Sequence, residues 1–477
     1  MTLPESCDVV VVGAGPAGLA AAIECARHGA ATVILDEQTG PGGQIYRGIT
    51  TTPMQKREIL GADYWHGATL VSALQSSKAT HVPRASAFAV TRADGGGFEV
   101  GVSCDGAAAL MGAGHVILAT GALERPFPIP GWTLPGVITA GAAQILIKSA
   151  GLVPEGPVVL AGTGLLLYLV ASQFARVGAA IDCLLDTTPP GRIRDAFPHA
   201  AAFLTSPYVA KGFALLRQAR TSTRIVRGVE RLEAIGVERL ASVRYTVGGR
   251  ATEIPAQALL LHQGVVPNVN LSNAIGCNHR WDDALRCFAP IVDAWGATSV
   301  SGITIAGDGA GIAGAQAAEA RGTLAGLHAL AALGRIDLGE RDIRAANAKT
   351  RVARWMRGRA FVDALYLPSD AFRLPQGDTV VCRCEEITAQ QVIATAKLGC
   401  PGPNQMKSFL RCGMGPCQGR LCGLTVTELI ARERGVAPGE VGYYRLRFPI
   451  KPITLGELAS LPQTTASTQA VVRMKAH

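Results

Sequence analysis

Short apolar runs, glycine-rich turns and alanine-rich stretches follow one another at the start of the chain. Residues 8–12 contain four consecutive valines, a pattern typical of a central strand in a parallel sheet. Residues 13–18 hold three glycines, and residues 19–23 favour a helix. A second apolar run at 31–35 ends at Asp36. The pattern predicts a strand–turn–helix–strand unit of an α/β protein.

The same pattern begins again in the middle of the chain. Residues 158–161 are apolar, residues 162–164 form a Gly-Thr-Gly turn, and the next strand-like run, 181–185, ends at Asp186. A later apolar segment at 302–308 leads into a helix rich in alanine and glycine. This internal repeat predicts two α/β domains of the nucleotide-binding kind, with the second inserted in the first.

Changes in composition mark further segments. Residues 341–360 are rich in arginine and helical in character, which is typical of a solvated or partner-facing helix. Six of the twelve cysteines lie between Cys382 and Cys422. The predicted units are 1–150 with 280–335, 151–279, a helical linker at 336–377, a small cysteine-rich domain at 378–435 and an extended tail at 436–477. Residues after about 463 are expected to be disordered.

Composition and charge exclude several classes of protein. The chain has 477 residues, 48% of them apolar, which excludes a disordered chain. The net charge of +9 is modest and scattered, whereas nucleic-acid binders concentrate basic charge on one face. The N-terminus lacks the basic region of a signal peptide, and the Gly-Thr-Gly turn interrupts the apolar stretch 158–175. We therefore expect a cytoplasmic protein without a transmembrane segment or a nucleic-acid partner.

Each glycine of the first turn has a distinct role in a dinucleotide fingerprint. Gly13 permits the tight turn, Gly15 lets the backbone approach a pyrophosphate, and Gly18 lets the helix pack close to the strand. The helix N-terminus then offers free N–H groups to phosphate oxygens. Asp36 lies near the spacing of an acid that binds ribose hydroxyls. The segment predicts an adenine-nucleotide site.

The second glycine turn departs from the fingerprint. Gly162 and Gly164 are present, but Leu167 stands where the third glycine belongs. A leucine there would separate the helix from the strand and crowd the pyrophosphate, so we expect a retained fold without NAD(P). The first 300 residues contain no CxxC pair, which argues against a dithiol-based disulfide reductase.

The crowded cysteines indicate a metal or cluster site. Cys382 and Cys384 form a CxC pair, and Cys417 and Cys422 follow after 32 intervening residues. Four thiolates are what a [2Fe–2S] cluster requires, and the glycines around them let a loop fold tightly over the sulfurs. A zinc site with four cysteine ligands is the alternative. Two further thiols, of which Cys412 is better placed as a substitute ligand than Cys400, remain spare.

Six segments carry a resemblance to a known family. They lie at residues 11–18, 35–47, 119–131, 264–268, 413–420 and 451–457. With them the chain resembles the alpha subunit of heteromeric flavin-dependent amine and imino-acid dehydrogenases. That group includes opine oxidases, hydrogen cyanide synthase, and D-hydroxyproline and proline dehydrogenases. The cysteine-rich domain is similar to the [2Fe–2S] domain of bacterioferritin-associated ferredoxin.

The resemblance implies a fold and a set of site residues. The fold would be α/β, with two Rossmann-like domains of the disulfide-reductase type and a small C-terminal [2Fe–2S] domain. The cluster ligands would be Cys382, Cys384, Cys417 and Cys422. FAD would contact the first glycine turn, the second strand end and three later turns. The implied residues are Gly13, Gly15, Ala17, Gly18, Asp36, Glu37, Gly43, Gln44, Ala119, Thr120, Gly121, Gly307 and Asp308.

The resemblance also implies a division of labour between subunits. A beta subunit of the glycine- or sarcosine-oxidase type would oxidise the C–N bond of an amino or imino acid, while this chain would relay the electrons. Some relatives have FMN between the subunits, a small gamma subunit, or ATP or NAD in the first nucleotide site. Peripheral contact with a membrane through the electron acceptor is a further expectation.

Two other functions fit the residues less well. One is a self-sufficient NAD(P)H-dependent flavin and iron–sulfur reductase, against which the altered second fingerprint argues. The other is an interaction scaffold with a structural nucleotide and zinc. The sequence contains no set of residues suited to hold and oxidise an amino acid, so we assign no catalytic residue. His262 follows an apolar run, but a lone histidine is more often structural.

Overall fold

The first part of the chain builds six strands of a seven-stranded sheet that is part parallel and part antiparallel. The computed structural model describes residues 3–462, so the expected disorder after about residue 463 lies outside the described residues. The first elements are β1 (Ser6–Val12), α1 (Pro16–Arg27), β2 (Thr32–Asp36), α2 (Arg57–Leu60), α3 (Ala62–Gln75), β3 (Thr80–Pro83), β4 (Ala85–Arg92), β5 (Phe98–Cys104) and β6 (Ala107–Leu118). β1 is central, and Val10 lies opposite Val33 of β2 and Val116 of β6 in parallel register. Because both faces of β1 are covered, its valines are buried.

A second sheet, which is parallel throughout, follows. Its segment contains β7 (Ala122–Glu124), β8 (Val137–Thr139), α4 (Ala140–Ala150), β9 (Val158–Thr163), α5 (Leu165–Arg176), β10 (Cys183–Asp186), α6 (Arg192–Ala196), α7 (Ala200–Leu204), α8 (Tyr208–Ser222), β11 (Arg224–Arg227), β12 (Arg231–Gly236), β13 (Leu240–Val247), β14 (Arg250–Pro255) and β15 (Ala258–Gln263). The sheet order is β11-β10-β9-β15-β8, and β12, β13 and β14 form a separate antiparallel sheet. The structure differs here from the predicted boundary at residue 150, because β8 pairs with β15.

The chain then returns to the first sheet. The elements are β16 (Val265–Pro267), α9 (Asn270–Ile275), β17 (His279–Asp282), β18 (Cys287–Pro290), β19 (Ile303–Ile305), a 3₁₀ turn (Gly307–Ala310) and α10 (Ala315–Ala332). β19 pairs in parallel with β6, so the second sheet interrupts the first. A Cβ at Gly322 of α10 would overlap the carbonyl of Ala17, which explains how α10 packs closely on α1. The arrangement confirms the predicted α/β fold class with an inserted second domain.

The C-terminal part forms a small unit with its own core. It is preceded by α11 (Leu338–Met356), which packs on α10, and by α12 (Arg359–Leu365) and α13 (Asp370–Arg373). The unit contains β20 (Val380–Cys382), β21 (Ile387–Thr388), α14 (Ala389–Lys397), α15 (Pro403–Leu410), α16 (Gly423–Arg434) and α17 (Pro438–Val441), and α18 (Leu455–Ala459) packs back on β6. Val381, Met406 and Ile430 are buried in that core. The segment 436–462 differs from the predicted extended tail, because it contains α17 and α18.

The longest apolar stretch, residues 158–175, is divided between two buried elements. It forms β9, a glycine turn and most of α5, and Leu160 and Phe174 are fully buried. Among residues 3–462, no helix is both long enough and apolar enough to span a bilayer.

Candidate functional site

The first glycine turn lies between β1 and α1, and its three glycines have different surroundings. A Cβ at Gly13 would lie 2.5 Å from the carbonyl oxygen of Ala119, and one at Gly18 would overlap the carbonyl of Gly13. A Cβ at Gly15 would meet only the Cα of Gly43, at 3.8 Å. Packing therefore requires Gly13 and Gly18, whereas Gly15 borders open space at the N-terminus of α1. That space suits a phosphate group.

Asp36, at the end of β2, has one oxygen ready for a ligand. Its Oδ1 accepts a hydrogen bond from the backbone N–H of Gln38 (3.1 Å). Its Oδ2 is buried and has no hydrogen-bond partner among residues 3–462; His81 Nε2 lies 3.9 Å away. A buried carboxylate oxygen without a partner is costly, and a ribose hydroxyl would satisfy it. This orphaned oxygen fits the adenosine half of a dinucleotide.

Two further turns adjoin the glycine turn. The N–H of Gly42 donates to the carbonyl of Ala14 (2.8 Å), and a Cβ at Gly43 would lie 2.7 Å from the Cα of Gly15. A Cβ at Gly307 would lie 2.7 Å from the Cβ of Ala17. The predicted residues of these turns therefore lie together.

The neighbouring Asp308 organises its own turn. Asp308 Oδ1 accepts hydrogen bonds from the N–H groups of Ala313 and Gly314 (2.9 and 3.0 Å), at the start of α10. Its position is thus fixed from within the turn, directly after Gly307. The next residue, Gly309, approaches the carbonyl of Gly121 closely enough that a Cβ would lie 3.5 Å from it.

The turn after β6 contacts a segment that the sequence did not assign to the site. Thr120 Oγ1 donates to the carbonyl of Asn268 (3.3 Å), and the N–H of Asn268 donates to the carbonyl of Gly121 (3.0 Å). Asn268 Oδ1 is buried and lacks a partner within the described chain. A bound group beside Thr120 and Gly121 could satisfy it. The segment 264–268 carried the family resemblance, but nothing in the sequence placed it beside Gly121.

A buried lysine fixes the backbone of the predicted flavin-lining loop. Lys148 of α4 donates to the carbonyls of Gln44 (3.3 Å) and Ile45 (3.0 Å) and to Gln144 Oε1 (2.8 Å). Burial, with a smaller contribution from Arg47, lowers the pKa of Lys148 to about 7. The side chain of Lys148 therefore positions Gln44 through its backbone.

Glu37 has a partner from the C-terminal part of the chain. Lys451 Nζ lies 2.8 Å from Glu37 Oε1. Burial lowers the pKa of the nearby Arg47, although Asp36 and Glu37 oppose the shift, and Arg47 Nε has no partner in the described structure. Basic groups therefore border the ribose end of the site.

The second glycine turn is closed by its own side chains. Leu167 is fully buried, and the hydroxyl of Tyr168 donates to Asp186 Oδ2 (2.8 Å). The other oxygen of Asp186 accepts from the N–H of Thr188 (2.9 Å). His262 is buried, and its Nδ1 lies 2.7 Å from Glu124 Oε1. Asp186 thus lacks the free oxygen that Asp36 has.

The cysteine-rich unit gathers its thiols in two groups. The sulfurs of Cys382, Cys412 and Cys422 are buried and lie within 4.8 Å of one another. Cys384 and Cys417 are partly exposed, and their thiols contact each other. The structure therefore brings the four predicted ligands into two pairs and adds Cys412 to the buried pair. The sequence placed Cys412 in the same loop but gave no measure of its distance from Cys382.

Glycines and a tyrosine form the walls of this cysteine site. A Cβ at Gly415 would overlap Cys384 Cβ, and one at Gly413 or Gly419 would overlap the ring of Tyr444. The Tyr444 hydroxyl lies 3.7 Å from Cys422 Sγ. Hydrogen bonds from the Cys412 and Cys422 thiols lower the pKa of Cys382, and the same contacts raise the pKa of Cys412 and Cys422. The donor set fits a [2Fe–2S] cluster.

The two candidate sites are connected directly. Asn270 Nδ2 donates to the carbonyl of Gln418 (2.9 Å) in the cysteine loop. Arg420 donates to the carbonyl of Cys417 (3.1 Å) and to that of Ile450 (3.2 Å), which precedes the partner of Glu37. The segment that follows Asn268 thus links the nucleotide turn to the cysteine loop.

The fold and these two sites define an oxidoreductase with two dinucleotide-binding domains. The chain belongs to the pyridine nucleotide-disulphide oxidoreductase family, whose model matches residues 7–322, and residues 376–461 match the sarcosine oxidase A3 domain.

Within this class the chain belongs to the same family as the A subunit of opine oxidase. It is 49% identical to that protein from Agrobacterium tumefaciens (strain Ach5), over 98% of this chain and 94% of the relative. It is 32% identical to hydrogen cyanide synthase subunit HcnB of Pseudomonas protegens, over 94% of this chain and 96% of the relative. These relatives confirm the resemblance predicted from the sequence.

The fold also matches a solved structure. The crystal structure of L-proline dehydrogenase from P. horikoshii superposes with a TM-score of 0.73, over 95% of this chain and 79% of the other. Its identity to this chain is 20%, so the match concerns the fold.

Proposed function

We propose that the chain is the electron-transferring alpha subunit of a heteromeric FAD-dependent dehydrogenase. The complete enzyme oxidises the C–N bond of an amino or imino acid of the opine, proline or D-hydroxyproline type, and the substrate binds on a beta subunit. The names of the relatives support this assignment, since HcnB and the A subunit of opine oxidase are both parts of larger enzymes.

The contact between the two candidate sites carries the proposal. Asn268 touches the turn at Thr120 and Gly121, and Asn270 touches the cysteine loop at Gln418. A cofactor against the first turn and a cluster in the second loop would therefore be neighbours in one connected segment of protein. Such proximity suits electron transfer between them, whereas a purely structural nucleotide and metal would not require it.

Different residues of the chain would hold FAD and the iron–sulfur cluster. FAD would supply two-electron chemistry and the cluster one-electron transfer, so together they pass electrons from a substrate to an acceptor. The N-terminus of α1 holds the phosphates, and Asp36 holds the ribose. Lys148 fixes the loop at Gln44, and the glycines of the cysteine loop let the backbone approach the sulfurs.

Three turns beyond the phosphate site support a dinucleotide such as FAD over ATP. Those at Gly43, Thr120 and Gly307 lie around the open side of the first glycine turn. A mononucleotide would need only that turn and Asp36. FMN at a subunit interface and a small gamma subunit are further parts of the proposed complex.

A partner subunit holds the substrate in this proposal. His262 is buried and hydrogen-bonded to Glu124, so it is not available to an amino acid. A beta subunit of the glycine- or sarcosine-oxidase type would supply the substrate pocket.

Cofactor analysis tests the proposal. The purified protein should have a flavin spectrum, release FAD on denaturation, and contain iron and acid-labile sulfide in equal amounts. ATP or NAD in the supernatant would refute the assignment of FAD. Zinc without iron would refute the cluster.

Reduction by NADH tests the alternative of a self-sufficient reductase. NADH should not bleach the flavin, because the Tyr168 hydroxyl hydrogen-bonds to Asp186 and the buried Leu167 closes the second glycine turn. Rapid bleaching would favour a self-sufficient reductase.

A further inference from the structure

The buried thiol group contains one cysteine more than its side of the cluster can use. In a [2Fe–2S] cluster each iron takes two thiolates, and four cysteines complete the set. The partly exposed pair, Cys384 and Cys417, can serve one iron. The buried group then offers three sulfurs, those of Cys382, Cys412 and Cys422, for the two remaining positions.

The distances place all three buried sulfurs within reach of one metal ion. With metal–sulfur bonds of about 2.3 Å, two thiolates on one tetrahedral metal lie about 3.8 Å apart. The three sulfurs lie within 4.8 Å of one another, so a shift of about 1 Å brings any two of them to that separation. Cys412 is therefore interchangeable in position with Cys382 and Cys422 but not with the exposed pair.

We propose that Cys412 is a reserve ligand of the cluster, able to replace Cys382 or Cys422. This inference rests on the proposed iron–sulfur function. In the exchange, the bond from iron to the sulfur of Cys382 or Cys422 breaks, a bond from iron to the Cys412 sulfur forms, and the thiol proton of Cys412 passes to the displaced thiolate. In an alanine variant no thiolate is displaced, and the proton passes to solvent. No oxidant or reductant takes part.

Cysteine variants of the full-length protein test the inference. C422A should retain a cluster through Cys412, with an altered electron paramagnetic resonance signal after reduction because one ligand has changed. The double variant C412A/C422A should lose the cluster. C400A/C422A is the matched control, since Cys400 is also a buried thiol of the same core but donates to the carbonyl of Gly402 instead. It should behave like C422A.

A second pair of variants controls for misfolding, because Cys422 is a fully buried residue directly before the first turn of α16. C382A should likewise keep the cluster, and C382A/C412A should lose it. C412A alone should contain as much iron and sulfide as the wild type.

The outcomes distinguish failure of the reserve-ligand role of Cys412 from failure of the proposed cluster. Loss of the cluster in C412A alone would overturn the inference, and so would equal loss in C422A and C382A whether or not Cys412 is present. A wild-type protein with no iron would instead contradict the proposed cluster, and the inference with it.

Discussion

Asp36 and Asp186 end equivalent strands of the two repeats, yet their side chains have different partners. Asp186 is satisfied by Tyr168 and Thr188, whereas one oxygen of Asp36 is buried and free within the described chain. A single tyrosine thus accounts for much of the difference between a nucleotide-ready strand end and a closed one. The sequence showed both aspartates but not this distinction, because the hydroxyl of Tyr168 reaches Asp186 only in the folded domain.

Substitution of the two aspartates should separate binding from folding. Asp36→Asn removes a charged acceptor, and a hydrogen bond to a charged group contributes about 1.5–3 kcal/mol, so nucleotide affinity should fall roughly tenfold or more. Asp186→Asn should leave affinity unchanged, because Asp186 ends β10 in the second domain and both of its oxygens already have partners there. Equilibrium titration of the nucleotide-free protein measures both, and equal losses would contradict the distinction.

A side chain at Gly15 would fit beside the neighbouring protein atoms but not beside a bound pyrophosphate. A Cβ there meets nothing closer than 3.8 Å, so Gly15→Val should leave the fold intact while its side chain obstructs the pyrophosphate. We expect nucleotide binding to be abolished, with an unchanged circular dichroism spectrum. Gly191→Ala is the control, since no heavy atom lies within 4 Å and its φ is −72°. A Gly15→Val protein that purifies with a full complement of nucleotide would contradict the placement.

Lys148 should make the free energy of unfolding depend on pH. Its pKa in the folded state, about 7, lies below the ordinary value of 10.5. Between these values the unfolded chain binds more protons, so the contribution of Lys148 to the free energy of unfolding rises with pH. Below pH 7 Lys148 is protonated in both the folded and the unfolded state. The burial of its charge then lowers the free energy of unfolding by its full amount.

The variant Lys148→Met isolates this effect. The free energy of unfolding of the wild type minus that of the variant should increase by about 2–3 kcal/mol between roughly pH 6 and pH 9. Denaturant titrations at the two values measure it. A difference that does not change with pH would show that Lys148 keeps an ordinary pKa.

At the scale of elements, local patterns predicted the strands, turns and helices well. The valines of β1 and the glycines of the first turn impose their structure through burial and close packing with near neighbours. The contacts Asn270–Gln418 and Lys451–Glu37 join residues more than a hundred positions apart, so no local pattern shows them. The same holds for β8, which is short and belongs to the second sheet only through its pairing with β15.

The cysteine loop makes a prediction at this scale. Cys417→Ser should lower the iron content, because serine oxygen is a poor substitute for a thiolate and Cys412 lies with the other pair. Cys400→Ser should retain the iron of the wild type. Iron and sulfide analysis of both purified variants decides the matter, and equal iron loss would show that the ligand assignment is wrong.

For the whole molecule, the cysteine-rich unit and the nucleotide domain form one connected surface. Arg420 reaches both Cys417 and Ile450, and Lys451 pairs with Glu37. The chain therefore joins two candidate redox sites through hydrogen bonds and an ion pair. That arrangement suits a protein that receives electrons from a partner and passes them on.

In the proposed enzyme this chain transfers electrons and does not itself oxidise the substrate. The direct test is a dye-reduction assay of the isolated chain, loaded with its cofactors, and of the same chain combined with a beta partner. With opines, proline and D-hydroxyproline as substrates, we expect no turnover by the chain alone and turnover by the complex. Sustained oxidation of any of these substrates by the isolated chain would contradict it.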